Sequence, residues 1–546
     1  MSEAATSVNP GLSQPLLAKR TSPKWMISAL LTTAIVALPV LSVIFLAFFP
    51  EENIWPHLIE TTLPRYLTTT LKLMIGVGAL TLVIGLASAW AVTMCEFPGR
   101  KFFEWAMLLP FAVPAYVIAY VYTSLLDYAG PVQGALRDLF GWSSAADYWF
   151  PEIRSLEGAT LMIGLVLYPY VYLLARAAFL EQSPSLFAVS RSLGHSALST
   201  FFRVVLPIAR PAVAVGLSLV LMETLNDFGT VDFFAVQTLT AGLFDTWMNL
   251  GNLGGAAQIA TTMLIFVVIL VTLERYSRRR QQQFAARDNR EPIQRFTMSF
   301  PRQMICVAVC ALPVLFGFVI PGATLGLYAW EYFGESWNPD FVRNTFNSLF
   351  LSGTAALTTL LIGVTLAYSR RLHNTRKMQV LMRLSSLGYA MPGAVLAVGV
   401  IVPLAGFDNW LDSLMRDVFG ISTGLLLSGS AFSVESALQK ITPSMDMASR
   451  SLGHTPGNTL VRVHLPMLRG TLVTAALVVF VDCMKELPAT LILRPFNFET
   501  LATYVYQFAS DERLYHSALP ALIIVLAGII PIILMSRSIS NSRSIA

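Results

Sequence analysis

Apolar runs of roughly 20 residues, the length at which a helix crosses a hydrocarbon core about 30 Å thick, alternate along the chain with short polar connections. In the first half they lie near 26–49, 70–94, 104–126, 157–178, 211–230 and 256–273. In the second half they lie near 303–321, 344–368, 381–405, 470–490 and 516–535. Each run reads as a membrane-spanning helix. Pro110, Pro114, Pro169 and Pro392 fall inside runs, where they predict either gating bends or static kinks that improve packing, the second being preferred.

The polar connections carry a repeat. Ser190–Arg210 returns 259 residues later as Ser449–Arg469, with 12 of 21 positions identical, so the chain is a tandem duplication. Arg65, Gly85, Ala89 and Pro114 recur as Arg343, Gly363, Ala367 and Pro392 at an offset of 278. The second half is therefore 19 residues shorter between Pro392 and Ser449. The first half fills that interval with Gly158–Ala178, the second only with Val418–Phe432, and fifteen helical residues reach about 22 Å. Omitting the span altogether would carry Arg450, Arg462 and Arg469 to the outer face, against the positive-inside rule. The expected fold is an all-α polytopic membrane protein, a duplicated six-helix unit of nominally 12 spans whose tenth is short or incomplete, with Ser433–Leu438 as the segment that could complete it.

Composition agrees: 55% hydrophobic and 13% charged residues in a chain of 546 leave too little polar surface for a soluble protein of this size. The net charge of +5 is modest and gathered between apolar runs, so it reads as topology, with the lipid bilayer as surroundings and no nucleic acid as partner. Arg100, Lys101 and the Arg191, Arg203, Arg210 loop alternate with Phe228–Gln258, which has neither Lys nor Arg. The basic loops and both termini are expected in the cytoplasm, with Trp25–Phe49 too long for a cleaved signal. The expected organisation is a polar tail over 1–24, a first half over 25–273, a linker over 274–302 with eight Arg, a second half over 303–536, and a tail over 537–546. The linker reads as solvated rather than lipid-binding. Cys95, Cys306, Cys310 and Cys483 lie in or beside apolar runs with no metal-ligand spacing, so neither disulfide nor metal is expected. No phosphate-binding loop of the form G-x-x-x-x-G-K-[ST] occurs, so the chain is not expected to be an enzyme, to hydrolyse ATP or to hold a cofactor of its own.

In each repeat a short helical segment leads to Gly194 or Gly453. After nine intervening residues come Val204, Leu206 and Pro207, or Val463, Leu465 and Pro466, a pattern of helix, turn and helix in which Pro opens the next apolar run. This pattern resembles the EAA loop of ABC-importer permeases, although Ala188-Val189-Ser190 and Met447-Ala448-Ser449 replace the family's opening Glu-Ala-Ala. The resemblance implies a coupling helix that docks into a cytoplasmic ATPase, with Arg191, Ser192, Gly194, Val204, Leu206, Pro207 and Arg450, Ser451, Gly453, Val463, Leu465, Pro466 as the docking residues. It also implies two copies of that ATPase, which bind ATP and Mg, an extracytoplasmic binding protein, and a place in the bacterial inner membrane. The stretches Glu223–Trp247 and Met484–Gln507 are similar to the iron(III) branch of fused two-half permeases, which implies a ferric cargo; thiamine and polyamines, carried by related permeases, remain open.

Aligned on the loops, Glu223 stands opposite Asp482 and Asp227 opposite Glu486, each pair four apart and hence on one helix face. With Asn226 and Lys485 they are candidates to line or brace a pathway near its outer end, because ionisable groups at this depth are costly and usually face a cavity. The alternative is that they mark where spans meet water. His195 and His454 share the loops, where a polar helix end explains them better than metal ligation. A gradient-driven secondary transporter, also built from parallel repeats, is the alternative to an ATP-driven permease.

Overall fold

The computed structural model describes residues 23–182, 186, 189–190, 192–278, 295–372, 375–387, 391–403, 410, 465–495 and 497–541. The elements used below are α1 Pro23–Phe48, α2 Leu63–Met94, α3 Arg100–Ala106, α4 Ala115–Leu126, α5 Leu156–Leu180, α6 Leu206–Asn226, α7 Gly229–Phe233, α8 Leu239–Phe244 and α9 Leu253–Arg278. In the second half they are α10 Phe300–Glu331, α11 Pro339–Leu372, α12 Arg376–Leu387, α13 Gly393–Pro403, α14 Leu465–Met484, α15 Pro488–Leu493, α16 Leu501–Ser510 and α17 Leu514–Asn541. Eight helices among the described residues are long and apolar enough to cross a membrane, or nine if one bent pair counts as a span. The only pairing of extended residues described is an isolated bridge between Cys95 and Phe296.

The chain divides into two compact units. The smaller comprises residues 1–37, 358–389 and 431–472. Its described core is Ala29, Leu366, Met378 and Met382, with Met26 and Ile362 against them. Trp25 meets Tyr368 edge-on, and the Thr33 and Ser385 hydroxyls pair at 2.9 Å.

The larger unit, residues 38–357, 390–430 and 473–546, holds the main core. Its tightest helix pair is α2 with α5, which approach because glycines face larger neighbours: a Cβ on Gly85 would stand 2.7 Å from Val171 and one on Gly76 2.9 Å from Thr160. This small-residue contact brings backbones together where lipid supplies no hydrophobic drive between helices. The linker end is tied to α2 by backbone bonds, Phe296 N–H to the Met94 carbonyl at 2.8 Å and Glu96 N–H to the Phe296 carbonyl at 3.1 Å.

Three expected spans take another form. The 104–126 run is broken by 89° between Arg100–Ala112 and Ala115–Phe140. Leu109–Ala112 is a 3₁₀ turn, Val113 is extended, and Pro114 precedes α4. Neither proline donates an N–H, and a residue before proline is driven out of the helical region, so two prolines four apart make a break and not the packing kink expected. Pro169, by contrast, lies within continuous α5. The 381–405 run is divided between α12 and α13, and the 470–490 run ends as a helix at Met484. The 418–438 region, where the short tenth span is expected, lies outside the described residues.

Candidate functional site

The first loop is a built elbow. Gly194 adopts φ 77°, the left-handed conformation that glycine takes without steric cost, and it is exposed at the turn. The buried Ser190 and Thr200 hydroxyls pair across it at 2.8 Å, and the Ser199 hydroxyl meets His195 Nδ1 at 3.1 Å. Ser192 is exposed and donates to the Val189 carbonyl; Val204 and Leu206 are half-buried and Pro207 is exposed. The exit helix starts at Ala197 and widens into a π turn over Phe201–Val205 before α6. Pro207 therefore does not open the helix, as the sequence suggested. It has no N–H for the Arg203 carbonyl and its ring crowds that carbonyl, so the ladder widens there. Gln182 Nε2 donates to the Val205 carbonyl at 3.0 Å, and Phe201 packs edge-on against Trp90 and Phe179. Arg191 lies outside the described residues, as do Arg450, Ser451, Gly453 and Val463 of the second loop, whose Leu465 and Pro466 open α14.

The far ends of α6 and α14 carry the six polar candidates, and the larger unit brings them together. Both helices stop short of their apolar runs, and in both an acid accounts for the interruption. Asp227 Oδ1 accepts from the N–H groups of Thr230 and Val231 at 3.1 and 3.2 Å, and its Oδ2 accepts from the Thr230 hydroxyl at 3.0 Å. It thus supplies partners for the free donors at the start of α7. Glu486 Oε1 accepts from Ala489 N–H at 2.9 Å at the start of α15. Ala489 stands 259 residues after Thr230, so the repeat holds in the hydrogen bonds as well as in the letters. Farther on, Thr238 caps α8 and Thr500 caps α16. The first N–H of each of these helices donates across to a hydroxyl, Leu239 to Thr70 at 2.9 Å and Leu501 to Ser348 at 2.6 Å.

Glu223 and Asp482, one turn earlier, serve no helix end in this way. Lys485 Nζ stands 3.1 Å from Asp482 Oδ1 and 4.0 Å from the centre of the Phe111 ring. The charges that act on Glu223 are those of Lys485, Asp482, Glu486 and Asp227. Asn226, at the position of Lys485 in the first half, accepts from Gly393 N–H at 2.6 Å. Each half thus reaches to the other's proline-marked segment, Asn226 to the residue after Pro392 and Lys485 to the residue after Pro110. The result is four carboxyl groups and one ammonium at matching ends of two repeated helices.

Comparison with known proteins fits this duplication. The model of the binding-protein-dependent transport system inner membrane component family matches residues 81–283 and again 359–540. The chain belongs to this family. It is 25% identical over 487 residues to the Fe(3+)-transport system permease protein FbpB 2 of Haemophilus influenzae, covering 88% of this chain and 91% of that protein. It is 23% identical to the ferric transport system permease protein FbpB of Actinobacillus pleuropneumoniae, over 89% of this chain and 74% of that one. A single-half relative, the molybdenum transport system permease protein ModB of Escherichia coli, is 24% identical over 212 residues, 38% of this chain and 89% of its own. The chain is therefore an ABC-type permease of the inner membrane, the non-enzymatic component of a system that also has ATPase and substrate-binding partners.

The sequence reading passed over the aromatic residues of this permease that adjoin the acids. Tyr116 and Tyr120 on α4 are 4% and 3% exposed, and neither hydroxyl has a hydrogen-bond partner among the described residues. An unsatisfied buried hydroxyl costs about 1–3 kcal/mol. Tyr116 packs on Gly229, two residues after Asp227, and Tyr120 lies one turn on, 5.7 Å between ring centres. Tyr506 donates to Asp232 Oδ2 at 2.7 Å. Tyrosine in an apolar run looks like packing, and no sequence signal separates these two from Tyr168, also buried with an unpartnered hydroxyl but on α5.

Proposed function

We propose that this permease imports ferric iron by ATP-driven alternating access. The observation that carries the reading is the excess of carboxylates, Glu223, Asp227, Asp482 and Glu486, over the one ammonium described beside them, Lys485 paired with Asp482 at 3.1 Å, at the matching ends of α6 and α14, an excess of negative charge at depth that a hard cation would offset. The names of the two full-length relatives support the choice of cargo. A binding protein delivers substrate at the outer face. Two copies of a cytoplasmic ATPase, which hold ATP and Mg, press on the Ser190–Arg210 and Ser449–Arg469 loops, and the two halves rock about the acid cluster. The loops and both termini face the cytoplasm in this scheme. Arg191, Ser192, Gly194, Val204, Leu206 and Pro207, with their counterparts in the second loop, are the docking residues, while Glu223 and Asp482 meet the cargo and Asp227 and Glu486 hold the helix breaks beside it.

The test is uptake into proteoliposomes that contain the permease, its ATPase and its binding protein. ATP-dependent ferric uptake is expected, and Gly194→Arg should abolish both uptake and co-purification of the ATPase while the permease stays inserted, because arginine is strained at φ 77° and crowds an exposed docking turn. Uptake driven by an ion gradient without ATPase would overturn ATP coupling. ATP-driven uptake of thiamine or a polyamine in place of iron would overturn the cargo.

A further inference from the structure

Two buried phenols connect the acid cluster to a carboxylate outside it. Tyr116 and Tyr120 follow one another along α4 with ring centres 5.7 Å apart, and Tyr120 meets Phe233 of α7 at 4.5 Å. Phe233 adjoins Asp232, which is exposed and takes the Tyr506 hydroxyl at 2.7 Å. At the inner end a Cβ on Gly229 would stand 2.7 Å from Tyr116 and 2.8 Å from Leu487, so the break after α6 packs on Tyr116 and meets the break after α14 at Gly229. Tyr120 thus stands between Tyr116 and Phe233, the neighbour of the Asp232–Tyr506 pair, and Tyr116 packs on Gly229, two residues after Asp227, which also meets Leu487, the residue after Glu486. Every side-chain donor in this series from Asp232 to Glu486 is oxygen. The two in its middle are the ones without a hydrogen-bond partner among the described residues.

We propose that the hydroxyls of Tyr116 and Tyr120 are cargo ligands, a phenol pair that receives a hard trivalent metal ion between the Asp232–Tyr506 pair and the acid cluster. The proposal rests on the metal-cation reading above and adds the residues that select for such an ion. A phenol oxygen is a hard donor, matched to an ion of high charge density and poorly to thiamine or a polyamine. When it ligates, its O–H bond breaks and an oxygen–metal bond forms, while the proton passes to a carboxylate of the cluster; no electron is exchanged. The missing hydroxyl partners, otherwise an unfavourable feature of a buried helix face, are supplied by the passing ion.

The test uses the full-length permease in lipid nanodiscs, titrated with iron(III) presented as its citrate complex. The wild type should develop the visible charge-transfer band of iron(III) phenolate. Tyr116→Phe with Tyr120→Phe should lose it, and Tyr168→Phe should keep it. In the complete transporter the double variant should take up iron at least about tenfold more slowly per inserted molecule, with ATPase co-purification and its stimulation by the binding protein unchanged. No band in the wild type, a band that survives the double substitution, or unchanged uptake would each overturn the proposal. So would normal uptake by the Phe pair with loss in a Tyr116→Leu, Tyr120→Leu pair, since the ring faces and not the hydroxyls would then be what matters. The titration needs no ATPase, so it judges the phenols even where ATP coupling fails.

Discussion

The ends of α6 and α14 are the same device with one exchange. In both, a long helix stops, an acid one or two residues on accepts from the N-terminal donors of a short helix, and a threonine caps the helix after that. In the first half the residue before the acid is Asn226, a neutral amide bonded to Gly393 N–H; in the second it is Lys485, paired with Asp482 and seated over Phe111. Backbone donors must be satisfied at a helix end at membrane depth, so the capping acids match in both copies. The residue beside them has no such duty, and there the copies differ in charge. Lys485 is the cation that acts on acids of both repeats, whereas Asn226 fastens a backbone.

The largest effects should come from removing the space that lets the two ends meet. A Cβ on Gly393 would stand 2.6 Å from Glu486 Oε1, and Gly229 is as tightly enclosed. Gly393→Val or Gly229→Val should each cost about 1–3 kcal/mol or more by overpacking, read as loss of folded permease in detergent. Next comes the exchange itself. Lys485→Ala removes a pair whose carboxylate is more than a third exposed and should destabilise by at most about 1 kcal/mol, whereas Asn226→Ala leaves one N–H unpartnered, at about 1–3 kcal/mol; equal losses in thermal unfolding would contradict the asymmetry.

The acids themselves should divide by role. Glu223→Gln with Asp482→Asn should lower uptake per inserted molecule, while Asp227→Ala and Glu486→Ala should each destabilise the folded permease by about 1 kcal/mol. Unchanged normalised uptake in the first pair would remove Glu223 and Asp482 from the pathway. The smallest effects belong to the matched caps. Thr238→Ala and Thr500→Ala should cost about 1 kcal/mol apiece and nearly the same in both halves, measured by hydrogen exchange at Leu239 and Leu501 and their neighbours.

Much of the fold is legible in the apolar runs, because span length and repeat offset are properties of the chain alone. The breaks are less so. Pro110 and Pro114 were visible as prolines, but whether they bend or sever a helix depends on what accepts the freed carbonyls. Pro169, in the middle of α5, leaves that helix continuous. The six polar candidates were legible through the alignment of the two loops, which set Glu223 against Asp482 and Asp227 against Glu486. Their different employment was not: a carboxylate that caps a helix and one that pairs with a lysine carry the same letter.

What the sequence by itself determined is a duplicated, helical, membrane-embedded chain, since hydrophobicity, length and internal identity need no neighbours to act. The tertiary structure alone decided that Asn226 reaches Gly393, that Lys485 lies over Phe111, and that two tyrosines of α4 stand unpartnered beside the acids. Those facts depend on contacts between residues far apart in the chain, 167 positions for Asn226 and Gly393 and more for Lys485 and Phe111. Their physical cause is the requirement that buried polar groups find partners, which fixes where helices stop but leaves to packing which groups then meet.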